Sequence, residues 1–537
     1  MKVQMTGGQA AIATLTANGI DTVFGIPGGH SFPVYAALAE SQAIRHVLGR
    51  HEQGLGFMAD GYARASGRIA AVSLTSGPAV ANIAAALGQA TTDTSPVLVI
   101  ASTPCAELVG KNRYGLHDLN DSLAIARAVA RYSEHAASVE EISPKLAGLI
   151  GRLRSGRPGG AFLQVPTDVL SGQADVEIVR APEMERLAPQ PSEIEKAAEL
   201  LRTAERPLII AGTGALVSGA GESVRTLAEK LGAVVSTTIL ARGILPGDLP
   251  YVIFPDGASP SEIDPVYSLA DVILAVGTMF KQEDTAGWNI KFQGKLIHID
   301  IDPAEFSRSY PADLAIQADA KAACEELLAR LDRPEPAGHD WAVYAQNRQQ
   351  ARLQARQARQ GADFTFAKAF RRAVPADVMV FADRCNLGYW AFRCLPFYQP
   401  RTFHYPLGYG GLGGSLPQAI GAKIALPDRR VLCLIGDGGI QFTLGELAVA
   451  AQEQTPITIV VSNNGCYGAI RAGLARNYND LDFGTSLVNP NFRKIAGAYG
   501  IPFMRATSRS QFLKLISNEL SLSRLNMIEF VNDLMDP

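Results

Sequence analysis

The sequence predicts an α/β protein made of three doubly wound domains with mainly parallel sheets. Short apolar runs that end in glycine or an acidic residue recur along all 537 residues and alternate with helical patterns. Continuous apolar runs are typical of strands covered by helices on both faces, and strand–helix alternation is typical of doubly wound folds. The predicted strands cover residues 22–25, 70–75, 97–101, 207–212, 272–277, 296–300, 378–382, 431–435 and 457–461.

Two segments divide the chain into three blocks. The first, 175–192, is rich in proline, and the second, 334–361, opens with prolines and continues as a polar helix. The predicted domains comprise residues 1–174, 190–335 and 362–537. The second segment also carries four arginines at helical spacing, which we interpret as the solvated face of a linker helix rather than an anion site. These are Arg348, Arg352, Arg356 and Arg359.

Composition and charge exclude several classes of protein. Apolar residues make up 47% and charged residues 19% of the chain, which is typical of folded domains and not of disordered or fibrous chains. A net charge of −3 gives no reason to expect nucleic acid or an anionic membrane as a partner. The longest uncharged stretch, 69–92, is too polar to span a bilayer. The 6 cysteines form no CxxC pair, so we expect reduced thiols and a cytoplasmic protein.

The strongest functional pattern lies in the last block, where two predicted strands end in polar residues. One strand ends in Gly436-Asp437-Gly438-Gly439 and the next in Asn463-Asn464, about one parallel crossover later. Both ends are therefore expected at the carboxyl edge of one sheet, where α/β proteins bind ligands. Mg²⁺ prefers hard oxygen ligands and shares them with phosphates, so Asp437, Asn464 and a backbone carbonyl could hold it against a diphosphate. The glycines would let backbone N–H groups approach the phosphates.

This pattern resembles the motif of thiamine diphosphate-dependent enzymes of the acetohydroxyacid synthase, pyruvate decarboxylase and benzoylformate decarboxylase group. The resemblance covers essentially the whole chain, in the family's order of pyrimidine-binding, central and diphosphate-binding domains. It implies Asp437, Asn464 and the carbonyl of Cys466 as ligands of Mg²⁺. The run 464–468 is closest in pattern to acetolactate synthase-like proteins. The residues that it implies around the diphosphate are Gly436, Asp437, Gly438, Gly439, Asn464, Cys466, Tyr467 and Gly468.

A glutamate in the first block matches a second part of the family pattern. Glu52 corresponds to the residue that bonds the aminopyrimidine ring of the cofactor. The resemblance implies that Glu52 shares a proton with this ring, whose imine form then removes the proton from the thiazolium carbon. Asp60 and Arg64, four residues apart, are expected to form a structural ion pair. In this family one active site combines two subunits, which implies a homo-oligomer, a dimer or a tetramer, with shared sites.

Two further segments are expected to shape the cofactor and substrate pockets. The segment 409–417 resembles the one whose bulky apolar side chain holds the cofactor bent, and Leu412 stands at that position, two residues after Gly410. Gly28 and Gly29 belong to a turn whose backbone lines the substrate pocket, where small residues allow close approach.

Two histidines are candidates for handling protons next to the reacting carbon. His30 follows the glycine turn, and His117 lies where related enzymes place a pocket residue. Each could also be an ordinary loop histidine. The pair of adjacent histidines found in pyruvate decarboxylases is absent, and Thr75 stands where benzoylformate decarboxylase has its active-site histidine. Gly473 replaces the tryptophan of biosynthetic acetohydroxyacid synthases, which argues against dedicated branched-chain amino-acid synthesis.

The central block gives a weaker signal for a nucleotide. Gly212-Thr213-Gly214 lacks the third glycine of the dinucleotide fingerprint because Val217 stands in its place, so FAD is possible but not expected. The same gap argues against a NAD-dependent dehydrogenase.

Together these observations predict an enzyme that uses thiamine diphosphate and Mg²⁺ on a 2-oxo acid. It would release an aldehyde or pass the enamine to a carbonyl acceptor. The alternatives are an acetolactate synthase-type carboligase, a lyase of α-hydroxyketones or diketones, and a non-catalytic nucleotide- or flavin-binding relative.

Overall fold

The computed structural model describes residues 2–183, 185–254, 263–332 and 340–535 of the chain. Within them it contains three six-stranded sheets, one in each predicted block, and every strand pairing inside these sheets is parallel. The predicted fold class is confirmed. None of the helices in these four ranges is long and apolar enough to cross a membrane.

The N-terminal sheet is a doubly wound sheet of six parallel strands, with helices between successive strands. The strands are β1 (Val3–Thr6), β2 (Thr22–Gly25), β3 (Arg45–Leu48), β4 (Ala70–Leu74), β5 (Val97–Thr103), β6 (Tyr132–His135), β7 (Gly160–Pro166) and β8 (Gln173–Val176). The helices are α1 (Gly7–Ala17), α2 (Phe32–Glu40), α3 (Glu52–Ser66), α4 (Pro78–Thr92), α5 (Ser122–Val129), α6 (Val139–Ser155) and α7 (Thr167–Ser171). The strand order β3-β2-β4-β5-β7-β6 reverses between β2 and β4, while β1 and β8 form a separate antiparallel pair. A reversal of this kind opens a crevice at the carboxyl edge of a sheet.

The central sheet has the order β11-β10-β9-β12-β13-β14. Its strands are β9 (Pro207–Ala211), β10 (Val234–Thr237), β11 (Val252–Ile253), β12 (Val272–Val276), β13 (Lys295–Asp300) and β14 (Leu314–Gln317). Its helices are α8 (Pro191–Thr203), α9 (Thr213–Ser218), α10 (Gly221–Leu231), α11 (Val266–Leu269) and α12 (Ala320–Arg330). A side chain on Gly212 or Gly214 would collide with the backbone of Gly277. Packing of the turn against the end of β12 therefore accounts for both glycines.

The C-terminal sheet has the order β16-β15-β17-β18-β20-β19. Its strands are β15 (Met379–Ala382), β16 (Phe403–His404), β17 (Val431–Gly436), β18 (Thr458–Asn463), β19 (Phe503–Ala506) and β20 (Asn526–Val531). The helices, starting with the one that leads into this domain, are α13 (Asp340–Ala373), α14 (Asn386–Cys394), α15 (Ser415–Ala425), α16 (Asp437–Ile440), α17 (Leu447–Gln452), α18 (Gly468–Asn477), α19 (Phe492–Ala498) and α20 (Arg509–Glu519).

The basic stripe on α13 differs from the sequence interpretation. The helix is kinked at Gln360, where the backbone leaves helical values. Arg356 is buried, and its Nη1 donates to Cys394 Sγ at 3.1 Å. Arg352 donates from Nη2 to the carbonyl of Phe254 at 2.9 Å. The interpretation as a solvated face is therefore wrong for these two arginines, because long side chains can reach buried acceptors from a helix of polar composition.

The N-terminal and C-terminal domains share one apolar core in which α3 packs on α15. Met58 of α3 and Ile420 of α15 belong to this single cluster of buried residues. A Cβ atom on Gly61 would overlap the backbone of Gln418, and one on Gly421 would overlap the backbone of Met58. The two glycines therefore set the close approach of the helices.

We expect Gly61→Ala and Gly421→Ala each to lower the free energy of unfolding by about 2 kcal/mol, because an added methyl group must push two packed backbones apart. Gly148→Ala is the matched control, since its Cβ would have no heavy atom within 4 Å inside α6. The control should raise stability by about 0.5 kcal/mol through the better helix propensity of alanine. Thermal unfolding midpoints of the three variants measure this difference. Equal midpoints for Gly148→Ala and Gly61→Ala would contradict the packing argument.

Candidate active site

The two polar strand ends of the C-terminal domain lie together in the structure. Strands β17 and β18 are neighbours, with Gly436 opposite Ser462, and both end at the carboxyl edge of the sheet. Asp437 follows β17, and its Oδ2 accepts a hydrogen bond from the N–H of Gly465 at 2.9 Å. The same oxygen accepts from Asn489 Nδ2 at 2.6 Å. The spacing of the two motifs in the sequence thus becomes one contiguous polar site.

The residues present fit a magnesium ion. Asp437 is only 2% exposed, and burial raises the pKa of its carboxyl group. The side-chain oxygen of Asn464 accepts from the N–H of Cys466 at 3.3 Å. Cys466 forms an antiparallel bridge with Ser486, and the hydrogen bonds of this bridge are made by the residues on either side of the pair. The carbonyl of Cys466 therefore points away from Ser486. A carboxylate, an amide oxygen and a backbone carbonyl form the donor set that Mg²⁺ accepts.

The glycines around this site make room for neighbouring side chains. A Cβ on Gly438 would lie 2.6 Å from the ring of Tyr467, and one on Gly468 would lie 2.7 Å from Asn464 Nδ2. Substituents on Gly436 and Gly439 would lie 3.1 Å from Cys385 and Asp383 respectively, again tighter than ordinary contacts. The backbone of the motif therefore has no space for a side chain at these positions.

The loop that contains Gly410 and Leu412 is attached to the same site. Gly410 and Gly413 have φ angles of +70° and +81°, a conformation that favours glycine. The N–H of Gly413 donates to Asp383 Oδ2 at 2.7 Å, and burial raises the pKa of Asp383 to about 6. Leu412, between these two glycines, is half-buried.

Glu52 is the first residue of α3, at the carboxyl edge of the N-terminal sheet. It is half-buried, and its Oε2 accepts a hydrogen bond from Asn82 Nδ2 of α4 at 2.9 Å. The predicted ion pair further along α3 is confirmed, with Arg64 Nε 2.8 Å from Asp60 Oδ1.

A glutamate from the C-terminal domain holds the start of α3. Glu446 Oε1 accepts from the N–H of His51 at 3.0 Å, and its Oε2 accepts from the N–H of Arg50 at 3.3 Å. A side chain on Gly54 would collide with the carboxyl group of Glu446. Burial, which leaves Glu446 only 1% exposed, raises the pKa of its carboxyl group to about 7. The backbone next to Glu52 is thus bonded to an acid that titrates near neutral pH.

The two candidate histidines lie side by side. Strands β2, β4 and β5 are consecutive in the sheet, and the loops after them carry His30, Ser76 and His117. His30 Nδ1 lies 2.5 Å from Ser76 Oγ, and the centroids of the two imidazole rings are 5.9 Å apart. Burial, followed by the charge of His117, lowers the pKa of His30. His117 has a φ angle of +59°. A Cβ atom on Gly77 would lie only 2.6 Å from the carbonyl oxygen of His117.

The glycine turn before His30 is also packed tightly. A Cβ on Gly28 would lie 2.6 Å from the side chain of Thr75, whereas one on Gly29 would meet nothing within 4 Å. A cavity of about 480 Å³ opens beside Gly77 and His117, and Asp118 also lines it. Space for a small molecule therefore lies next to the histidine pair.

Comparison with known families shows which family the chain belongs to. The chain matches the thiamine pyrophosphate enzyme N-terminal TPP binding domain over residues 5–125. It matches the central domain of the same enzymes over residues 194–327 and their C-terminal TPP binding domain over residues 383–530. This chain belongs to the thiamine pyrophosphate enzyme family. Thiamine pyrophosphate and thiamine diphosphate are two names for the same cofactor.

Relatives of this thiamine pyrophosphate enzyme cover most of its length. A probable 2-ketoarginine decarboxylase of Pseudomonas aeruginosa is 38% identical over 92% of this chain and 88% of its own. An acetolactate synthase of Mycobacterium bovis is 33% identical over 97% of this chain and 87% of its own. The large subunit of acetolactate synthase isozyme 1 of Escherichia coli is 30% identical over 93% of this chain and 89% of its own. The predicted relationship to acetolactate synthase is confirmed.

Four polar residues of this thiamine pyrophosphate enzyme's site were not predicted as part of it. They contact predicted residues or the backbone next to them, and they come from distant segments of the chain. Asn489, for example, lies 52 residues after Asp437. No pattern in the sequence distinguishes them from ordinary polar residues. They are Asn82, Asp383, Glu446 and Asn489.

We expect Glu446 to make the stability of this enzyme depend on pH. Its pKa is about 7 in the folded protein and 4.5 without the fold, so the folded state binds the proton more tightly. The stabilisation is complete below pH 4.5 and is lost as the pH rises through 7. Relative to Glu446→Gln, the wild type should lose on the order of 2 kcal/mol between pH 5 and pH 8.

Thermal unfolding of both proteins across this pH range measures the effect, with Glu325→Gln, an exposed helical glutamate, as the control. The control should run parallel to the wild type. Parallel curves for Glu446→Gln and the wild type would show that Glu446 is not protonated preferentially in the folded state.

Proposed function

We propose that this chain is a thiamine diphosphate- and Mg²⁺-dependent decarboxylase that converts a 2-oxo acid into an aldehyde. The proposal is carried by the paired histidines, His30 and His117, at the same sheet edge as Glu52. An aldehyde is released only after a proton reaches the carbon that lost CO₂. A carboligase needs a second carbonyl compound at that point instead.

The binding residues of the proposed enzyme divide between two domains. Thiamine diphosphate, when bound, supplies the carbon nucleophile and the electron sink for decarboxylation. Asp437, Asn464 and the Cys466 carbonyl would hold Mg²⁺ and with it the diphosphate. Glu52 would hold a proton at the aminopyrimidine ring, and its carboxyl group is oriented by the 2.9 Å bond from Asn82. Leu412 would pack against the bound cofactor and support it.

The histidines supply the proton that completes the reaction. Because burial lowers the pKa of His30, a proton placed on this imidazole is released readily. Ser76 orients the His30 ring from Nδ1. His117, with its ring centroid 5.9 Å away, exchanges protons between His30 and the cavity.

A guanidino-bearing 2-oxo acid is the substrate class we propose. The support is the higher identity to a probable 2-ketoarginine decarboxylase than to the acetolactate synthases. Gly473, which stands in place of a tryptophan on the predicted pattern, leaves room for a longer substrate. The acetolactate synthase relatives support carboligation as the second candidate.

We also propose that two copies of the chain form the site, in the cytoplasm. All 10 residues of α18, which follows the metal site, are at least partly exposed in the single chain. Large apolar side chains are exposed in the loop that carries His117 and in the segment after α18. Among them, Tyr114 is 93% exposed and Phe483 is 80% exposed. Covering such surface is a strong reason for association. All 6 cysteines are free thiols, in keeping with a reducing compartment.

The first test is product analysis by NMR with thiamine diphosphate and Mg²⁺ present. We expect 2-ketoarginine to give CO₂ and 4-guanidinobutanal, and pyruvate and branched or aryl 2-oxo acids to react at least about tenfold more slowly. Acetolactate or another hydroxyketone as the main product would overturn the decarboxylase assignment. Cofactor binding without turnover of any acid would favour a hydroxyketone or diketone substrate or a non-catalytic relative.

Two variants examine the histidines in the same assay. His30→Ala and His117→Ala should slow aldehyde formation more than CO₂ release and divert part of the product to hydroxyketones. His135→Ala is the control, since this half-buried histidine lines the same cavity and its side chain bonds to Gln164 instead. Equal loss of CO₂ and aldehyde in all three variants would remove the proton-supplying role.

We expect Glu52→Gln to reduce kcat by a factor of about 100 to 10,000, because an amide cannot exchange the proton at the ring nitrogen. The bond from Asn82 can be kept by the amide oxygen, so the fold and the unfolding midpoint should be unchanged. Glu193→Gln, in the first turn of α8, is the matched control. Wild-type turnover by Glu52→Gln would show that this residue does not activate the cofactor.

A further inference from the structure

The loop formed by residues 407–413, here called the cofactor loop, is held by a carboxylate of another domain. Asp93 caps the end of α4 in the N-terminal domain. Its Oδ2 accepts from the N–H of Leu407 at 3.1 Å, and its Oδ1 accepts from the N–H of Gly408 at 2.8 Å. A Cβ on Gly408 would lie 2.9 Å from the same carboxyl group. The start of the cofactor loop is therefore bonded to Asp93 through its backbone.

Each oxygen of Asp93 is also paired with one cation. Arg64 Nη2 lies 3.0 Å from Oδ2, and Lys281 Nζ, from the central domain, lies 2.6 Å from Oδ1. The Asp93 side chain has no solvent exposure, and although burial alone would raise its pKa, the charges of Lys281 and Arg64 hold it below the ordinary value. Lys281 thus fixes the same oxygen that binds Gly408.

A second central-domain residue, Glu283, lies two positions after Lys281 and is linked to the cofactor loop through Arg384. Glu283 Oε1 accepts from Arg384 Nη2 at 2.6 Å. The same Nη2 donates to the carbonyl of Leu407 at 3.2 Å. A Cβ atom on Gly410 would lie 3.0 Å from Arg384 Nε. Arg384 follows Asp383, whose carboxylate binds Gly413 at the other end of the loop.

We propose that Lys281 and Glu283 are positioning residues, through which the central domain fixes the cofactor loop and with it the side chain of Leu412. The proposal rests on the proposed function, because it gives the loop a part in the reaction. The ion pair of each residue leads to a backbone group of this loop through one intermediate side chain, Asp93 for Lys281 and Arg384 for Glu283. Leu412 lies between the two anchored ends, at Leu407–Gly408 and at Gly413. Loosening one end shifts Leu412 while the metal site at Asp437 stays in place.

The first experiment compares Lys281→Met with Lys295→Met, which removes an exposed lysine that pairs with Asp313 at 2.7 Å in the same domain. Hydrogen–deuterium exchange of the free enzyme should show faster exchange in the cofactor loop for Lys281→Met alone. This measurement needs no substrate, so it stays informative if the proposed reaction is wrong. Arg64 and the two backbone bonds remain on Asp93, which keeps the variant folded.

The second experiment separates positioning from binding. We expect Lys281→Met to lower kcat about tenfold or more, since small displacements of positioning groups cost this much. The thiamine diphosphate concentration for half-saturation should change less than about threefold. Lys281→Arg should restore most of the activity by keeping the charge on Asp93, and Glu283→Gln should reproduce the loss more weakly.

The outcomes are separable. Faster exchange in the loop together with lower kcat supports the positioning role. Unchanged exchange in Lys281→Met, or an equal kcat loss in Lys295→Met, overturns it. Wild-type protein that turns over no 2-oxo acid refutes the proposed function alone, and the exchange data still decide whether the central domain holds the loop.

Discussion

A single guanidinium group, that of Arg64, bridges two buried carboxylates, Asp60 and Asp93, the second of which is also paired with Lys281. Asp60 and Asp93 are both fully buried, and each also binds the C-terminal domain, Asp60 through Gln418 Nε2 at 2.6 Å. Removing one partner of such a buried group leaves an uncompensated charge, which typically costs about 3–5 kcal/mol. The relative placement of the domains therefore depends on Arg64, and the apolar contacts of α3 with α15 fill in around this ion cluster.

The position of Glu52 follows from the same helix. The C-terminal half of α3 is fixed by Asp60 and Arg64, and its start is bonded to Glu446 of the C-terminal domain. In the proposed function Glu52 shares a proton with a ring, and a side chain with this role has to be placed to within a fraction of an ångström. Anchoring both ends of α3 on the other domain provides this, and it makes the buried charges part of the active-site architecture although they lie away from it.

Much of the fold was predictable because buried parallel strands have continuous runs of apolar residues in the sequence. All nine predicted strands are present. The signal does not find every strand: β6 is half-buried along its whole length, whereas β7 and β10 are fully buried but were not among the nine. Asp437 and Asn464 could be placed because one crossover has a defined length. Asn489, Glu446 and the buried Arg356 could not, since their partners are set by tertiary packing between distant segments.

The division of the site between domains also explains why the motifs alone do not decide the reaction. The residues that fit Mg²⁺ and the diphosphate belong to the C-terminal domain, and any enzyme that binds this cofactor needs them. The groups that we propose to meet the reacting carbon lie on the N-terminal sheet, where His30 and His117 come from loops 87 residues apart in the numbering. Two loops can change while the cofactor motifs stay constant. Decarboxylases and carboligases of similar sequence are thus expected to differ at this edge, and in the proposed function the paired imidazoles there favour proton transfer over a second carbonyl compound.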